Sequence, residues 1–192
     1  MRINPGSVAF DVDGVIADIM SLFIEIAKKE YNIHDIRYED ATCYTLEECL
    51  DVNPDVINEI LNRILDGNYS PTLNPIEGAP EVLSRIGRIH GSILFVTARP
   101  YPGPIYSWLQ DTLQLDRSII DVVATGTFEG KADVLLSRNI TYFVDDRLET
   151  CFLLDDAGIT PVLFKQPWNR QKHNFIEIST WKELESLIEF KS

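Results

Sequence analysis

The 192-residue sequence holds no apolar run near the ~20 residues that a membrane-spanning helix needs. Cysteine is sparse. Cys43, Cys49 and Cys151 form an odd set without the paired spacing of a metal clip. A Cys43–Cys49 disulfide is conceivable, but reduced thiols in a cytoplasmic protein are the better reading. Basic residues are also short, with 17 Lys and Arg against 30 Asp and Glu, for a formal net charge of −13. They are scattered, which argues against a nucleic acid partner, because contact with many phosphates needs clustered cations. A small anionic substrate stays open, since a bound cation and a few local donors can outweigh global charge. There is no internal repeat and no low-complexity tract. The opening run Met1-Arg2-Ile3-Asn4-Pro5-Gly6 lacks the pattern of a secretory leader, so no leader and no membrane association are expected.

What is present is enough apolar residue for a real core, 45% of the chain, in a length that fits one domain with at most a modest insertion. Continuous apolar runs at 8–12, 93–97, 122–125, 140–145 and 160–164 suit strands buried on both faces. Helical periodicity falls between them, at 80–89, 105–113, 132–138 and 148–157, the last stopping at Gly158. Thr180 and Glu183 form a capping-box pattern for a final helix. Strands alternating with helices predict an α/β fold, a Rossmann-like three-layer arrangement around an open parallel sheet.

Residues 18–75 break the alternation. An amphipathic stretch runs over 19–31, a second starts at Asn53-Pro54 and stops at Gly67, and no strand intervenes. Turn signals at Asn68-Tyr69-Ser70-Pro71 and Asn74-Pro75 lead back to the sheet. This predicts a helical cap of 18–75 inserted after the first strand, above the strand ends, on a core of 1–17 and 76–192. The competing reading lays the same helices flat on the sheet.

Four short motifs carry the chemistry. In Phe10-Asp11-Val12-Asp13-Gly14-Val15, two carboxylates end a buried strand, where open α/β sheets bind ligands. Two such anions repel unless a cation sits between them. The same letters also read as an Asp-rich turn capping a helix, but Val15, Ile16 and Ala17 rule out an EF-hand loop. Phe143-Val144-Asp145-Asp146-Arg147 is a second acidic strand end, in which one carboxylate can ligate a metal while its neighbour orients it. In Phe95-Val96-Thr97-Ala98-Arg99, a hydroxyl and backbone N–H groups can hold phosphate oxygens, although Thr97 alone also reads as a helix cap. Lys131, just ahead of the helix at 132–138, opposes the helix dipole; this makes sense if the ammonium faces an anion, and otherwise it is a surface lysine.

The order Asp-x-Asp-Gly, apolar-Thr, Lys, apolar-Asp-Asp resembles the haloacid-dehalogenase superfamily of phosphohydrolases over nearly the whole chain. Within it, Asp11-Val-Asp-Gly-Val-Ile-Ala-Asp18, the Asp145-Asp146-Arg147 triplet and Gln166-Pro167-Trp168-Asn169 look like the 5'(3')-deoxyribonucleotidase, or 5'-nucleotidase C-type, branch. The resemblance implies a phosphoric monoester hydrolase with Asp11 as covalent nucleophile and Asp13 as general acid and base. It implies Mg2+ held by the Asp11 carboxylate, the Asp13 main-chain carbonyl and Asp146, with Asp145 in reserve. Thr97, Ala98 and Lys131 would steady the phosphate, and Arg99 and Arg147 are candidates for further contacts. A structural ion pair with Asp145 or Glu149 is the preferred reading for Arg147. Ile19, Phe23, Tyr44 and Tyr69 could line a slot for a base, or simply pack the cap; Trp168 reads equally as core. The expected partner is a small phosphate monoester, first a nucleotide, with a homodimer left open. The alternatives are another small substrate such as a sugar phosphate, a polynucleotide end, or a silent binding domain.

Overall fold

The computed structural model describes residues 2–190. Six strands, β1 (Val8–Phe10), β2 (Ile93–Thr97), β3 (Ile120–Ala124), β4 (Tyr142–Asp145), β5 (Thr160–Phe164) and β6 (Ile176–Ile178), form one sheet in the order β3-β2-β1-β4-β5-β6. Every pairing is parallel. The central strands are short and wholly buried, which is why their sequences are continuous apolar runs rather than alternating ones. Alternate residues face opposite layers. Phe10, Phe95, Val144 and Val162 pack with helices α3 (Ala79–His90), α4 (Gly103–Leu113) and α7 (Trp181–Leu187). Ala9, Leu94, Val96 and Phe143 face Leu135 of α5 (Gly130–Ser137) and Leu154 of α6 (Leu148–Asp156). Phe10 lies against both Phe95 and Trp181, with ring centroids 6.2 and 5.7 Å away. Truncating a ring so enclosed costs about 3–5 kcal/mol.

Two elements differ from expectation. The first strand ends at Phe10, because the chain turns sharply straight after Asp11. A sixth strand, Ile176–Ile178, extends the sheet beyond the five expected. Its three residues, with Glu177 outermost, carry no periodic signal.

Between β1 and α3 lie α1 (Ile19–Glu30), α2 (Pro54–Asp66) and two short 3-10 turns, and no strand. Asp18 caps α1 by accepting from Ser21 N at 3.0 Å, and Asn53 caps α2 with Pro54 in its first turn. Gly67, at φ +72°, ends α2 in the left-handed conformation that glycine adopts without strain. The two helices pack together, and Arg63 of α2 pairs with Glu30 of α1 at 2.8 Å. The segment is stitched at its neck, with Asp18 N donating to Asn74 O and Ile76 N to Ile16 O. At the other end of the chain, Thr180 caps α7, and Glu183 reaches back to the Ser179 N–H. Among the described residues no helix is long and apolar enough to cross a membrane.

Candidate active site

Three adjacent strands, β2, β1 and β4, bring their carboxyl ends to one rim. Asp11 N donates to Val144 O at 2.8 Å, so Asp11 continues the ladder one bond past β1. The chain then closes a tight loop, with Ile16 and Ala17 both donating to Val12 O and Gly14 donating to Ala17 O. Gly14 has φ +73°, and a Cβ built there would lie 2.2 Å from Asp146 Oδ2. Glycine is therefore what lets the tip of β1 approach the tip of β4.

That approach assembles a cluster. Asp11, Asp145 and Asp146 are all buried, and each offers a carboxylate oxygen within 4.8 Å of the others. Lys131 lies inside the first turn of α5 rather than ahead of it, and its side chain is fully enclosed. Its Nζ is 2.9 Å from Asp11 Oδ2 and 2.8 Å from Asp145 Oδ2. Burial works against the Lys131 charge, but Asp11 and Asp145 outweigh it and hold the ammonium above its ordinary range. Burial pushes the Asp11 carboxyl up to about 7; Lys131 pulls the other way, and Asp145 and Asp13 add to the rise. Asp146 is also raised well above the usual carboxylate range, by burial first and then by the charges of Asp145 and Asp11.

Three buried carboxylates thus face one ammonium, and one divalent cation would make up the difference in charge. The donor set fits such an ion: all-oxygen ligands suit Mg2+. Both Asp145 oxygens are already engaged, by Lys131 and by the Arg147 N–H at 2.8 Å. Asp146 differs: Trp168 Nε1 donates to Oδ2 at 2.8 Å, and among the described residues no hydrogen bond ends on Oδ1. Asp146 is therefore the better disposed of the two to ligate. The Asp13 carboxylate stands outside the cluster, while among the described residues its main-chain carbonyl accepts no hydrogen bond.

Asp13 is instead held by Arg99. The guanidinium donates to both carboxylate oxygens, Nη2 to Oδ1 at 2.7 Å and Nε to Oδ2 at 2.8 Å. Its remaining nitrogen donates to Ile64 O and Leu65 O, at 3.2 and 3.1 Å, at the end of α2. A cation there also meets the negative end of the helix dipole. Burial disfavours the Arg99 charge, yet Asp13 outweighs it and keeps the group above its usual value. Thr97 is buried beside it, with Oγ1 accepting from Arg99 N at 3.2 Å, and Ala98 is half-buried. Arg147 makes only a loose pair with exposed Glu149, at 3.5 Å, and meets Asp145 through its main chain. Its guanidinium stacks 3.9 Å from the Phe128 ring centroid and 4.8 Å from that of Tyr44, a contact with no signal in the motif.

A cavity of about 220 Å³ opens over Asp11, Asp13, Thr97, Ala98, Arg99 and Asp146. Its far wall is apolar and comes from α1, α2 and the loop between them, with Ile19, Phe23, Tyr44 and Leu61 among its residues. Tyr69 is not part of it; with Trp108, it lines a separate surface groove. Sequence reasoning missed the lining by Phe128 and the direct Trp168–Asp146 bond; the only signal for the latter was the indole in the Gln166–Asn169 motif. All three cysteines are free thiols, and Cys43 lines the cavity.

Comparison with known proteins bears on the family and the fold. The profile of the family described as "5' nucleotidase, deoxy (Pyrimidine), cytosolic type C protein" matches residues 5–192. The 5'(3')-deoxyribonucleotidase of Bacillus subtilis (strain 168) is 24% identical over 181 residues, covering 93% of this chain and 95% of its own. A HAD-superfamily hydrolase from Ehrlichia chaffeensis superposes with a TM-score of 0.56 at 13% identity, over 97% of this chain and 96% of its own. CbbY from Rhodobacter sphaeroides, in complex with phosphate, does so with a TM-score of 0.56 at 15% identity, over 96% of each chain. On the profile match over nearly its whole length, the chain belongs to the cytosolic type C 5'-nucleotidase family, phosphoric monoester hydrolases on a haloacid-dehalogenase-like fold.

Proposed function

We propose that the protein hydrolyses deoxynucleoside monophosphates through an aspartyl-phosphate on Asp11, with Mg2+ as its cofactor. The observation that carries this reading is the convergence of Asp11, Asp145 and Asp146 on Lys131 beneath a largely apolar cavity. Asp11 attacks phosphorus in line, the bond to the leaving oxygen breaks, and Asp13 supplies that oxygen with a proton. Asp13 then takes a proton from water, whose oxygen attacks phosphorus and releases phosphate and free Asp11. Both Asp13 oxygens are bound to Arg99, so the incoming phosphate, a competing anion, would draw the guanidinium off. Thr97 and the Ala98 N–H flank the phosphate, and Lys131 balances charge from behind Asp11. Asp11, Asp146 and the Asp13 carbonyl would hold Mg2+, which when bound offsets carboxylate charge and steadies the phosphate oxygens.

In this reading residues 18–75 act as the cap that closes the cavity. Its wall of Ile19, Phe23, Tyr44 and Leu61 suits the flat face of a base better than a polyhydroxylated sugar, whose hydroxyls would be left unpaired there. The test is turnover of a panel of deoxy- and ribonucleoside monophosphates against sugar phosphates, with Mg2+ and with chelator. Deoxynucleotides should lead by at least tenfold and only with the metal. Equal or faster turnover of sugar phosphates would overturn the substrate assignment.

A further inference from the structure

Gln166, Trp168 and Asn169, in a short 3-10 turn and its cap in the connection between β5 and β6, are buried: Gln166 is 5% exposed, Trp168 8% and Asn169 1%. A buried turn must find partners for its polar atoms. These partners lie on both acidic tips. Gln166 Nε2 donates to Gly14 O at 2.7 Å, on the loop that carries Asp11 and Asp13. Trp168 Nε1 donates to Asp146 Oδ2 at 2.8 Å, and Asn169 Nδ2 donates to Asp146 O at 2.7 Å. The element is itself tied down, since Asn169 Nδ2 also donates to Phe164 O and Asn169 Oδ1 accepts from Gln166 N. The insertion joins the same element through Tyr38, whose hydroxyl donates to Gln166 Oε1 at 3.0 Å.

We propose that Gln166, Trp168 and Asn169 are positioning residues for the divalent cation: they lock the two acidic tips at a fixed spacing and turn one Asp146 oxygen, Oδ1, toward it. Asp146 is held at two points. The indole takes Oδ2, and the Asn169 amide fixes its main chain. A carboxylate so restrained reaches the metal without losing conformational freedom at that moment, and outer hydrogen bonds of this kind are worth about 10–100-fold in metal affinity. Trp168 thereby has two duties, since its ring also lines the cavity. The proposal rests on the cation site described above.

The two can be separated by titrating Mg2+ calorimetrically into the wild type, Trp168→Phe and Asn169→Ala, with circular dichroism to establish folding. Phe keeps the ring and removes the N–H. The expected result is Mg2+ binding to wild type and at least tenfold weaker binding to both variants, with kcat of Trp168→Phe recovering as Mg2+ is raised. If Trp168→Phe does not fold, Asn169→Ala decides alone. Unchanged Mg2+ affinity in a folded variant would overturn the positioning role and leave the cation site standing. A wild type that binds no Mg2+ would overturn both.

Discussion

Arg99 grips Asp13 by both carboxylate oxygens while its third nitrogen reaches the carbonyls that end α2. One fully ionised, almost wholly buried side chain therefore ties the β1 tip to the helical insertion. Lysine carries the same charge but cannot make the two-pronged contact and the carbonyl contacts together. Arg99→Lys should loosen the last turn of α2, raising amide exchange at Ile64 to Gly67 at least tenfold, and should lower kcat/KM by a comparable factor. Exchange mass spectrometry and steady-state kinetics check the two halves separately.

Asp11→Asn removes the proposed nucleophile and should reduce turnover by at least about 10³-fold with the fold intact. It should also change how stability depends on pH. The Asp11 carboxyl in the folded chain is raised to about 7 from an ordinary 3.8, so the ionised form is the one folding disfavours. The stabilisation is complete below pH ~4 and is lost as pH rises through ~7. In chelator, the melting temperature of the wild type should therefore fall relative to Asp11→Asn between pH 4.5 and 7.5. Mg2+ at about 100 times its Kd should restore roughly 2.7 kcal/mol, or some 5–10 °C.

Lys131→Met leaves Asp11 and Asp145 buried without their ammonium. Breaking a buried pair from one side costs about 3–5 kcal/mol. Urea denaturation of the metal-free protein should show a loss of that size. A loss under 1 kcal/mol would mean that solvent reaches the two carboxylates.

Gly14→Ala forces a Cβ to within 2.2 Å of Asp146 Oδ2 on a residue at φ +73°. The backbone strain alone is about 1–2 kcal/mol, and the clash must move Asp146 or Trp168 as well. A melting temperature lower by at least 4 °C, together with weakened Mg2+ binding, is expected.

The parts of this architecture that show in the sequence are those set by local rules. Strands β2 and β4 are legible because both faces are buried, and α2 because Asn53, Pro54 and Gly67 mark its ends. Asp11, Asp13, Asp145 and Asp146 stand out as charges at the ends of apolar runs, and Lys131 as a charge at the wrong end of a helix. What does not show is partner choice across long separations. Arg99 meets Asp13 from 86 residues away, and Trp168 meets Asp146 from 22, neither with any periodic trace. Tyr69, near the neck, lines a neighbouring groove rather than the cavity wall, although its phenol still feels the charges of Arg99 and Asp13. Strand β6 is too short to carry a pattern.

The neck of the insertion, where Ala17 bridges Pro75, has its own consequence. Departing and returning chain are fastened to each other before either reaches the helices, so the insertion leaves and rejoins the core through one doorway, with Arg99 and Tyr38 as its further ties to the acidic tips. A change of length between α1 and α2 would therefore leave the spacing of the two chain ends at the sheet as it is.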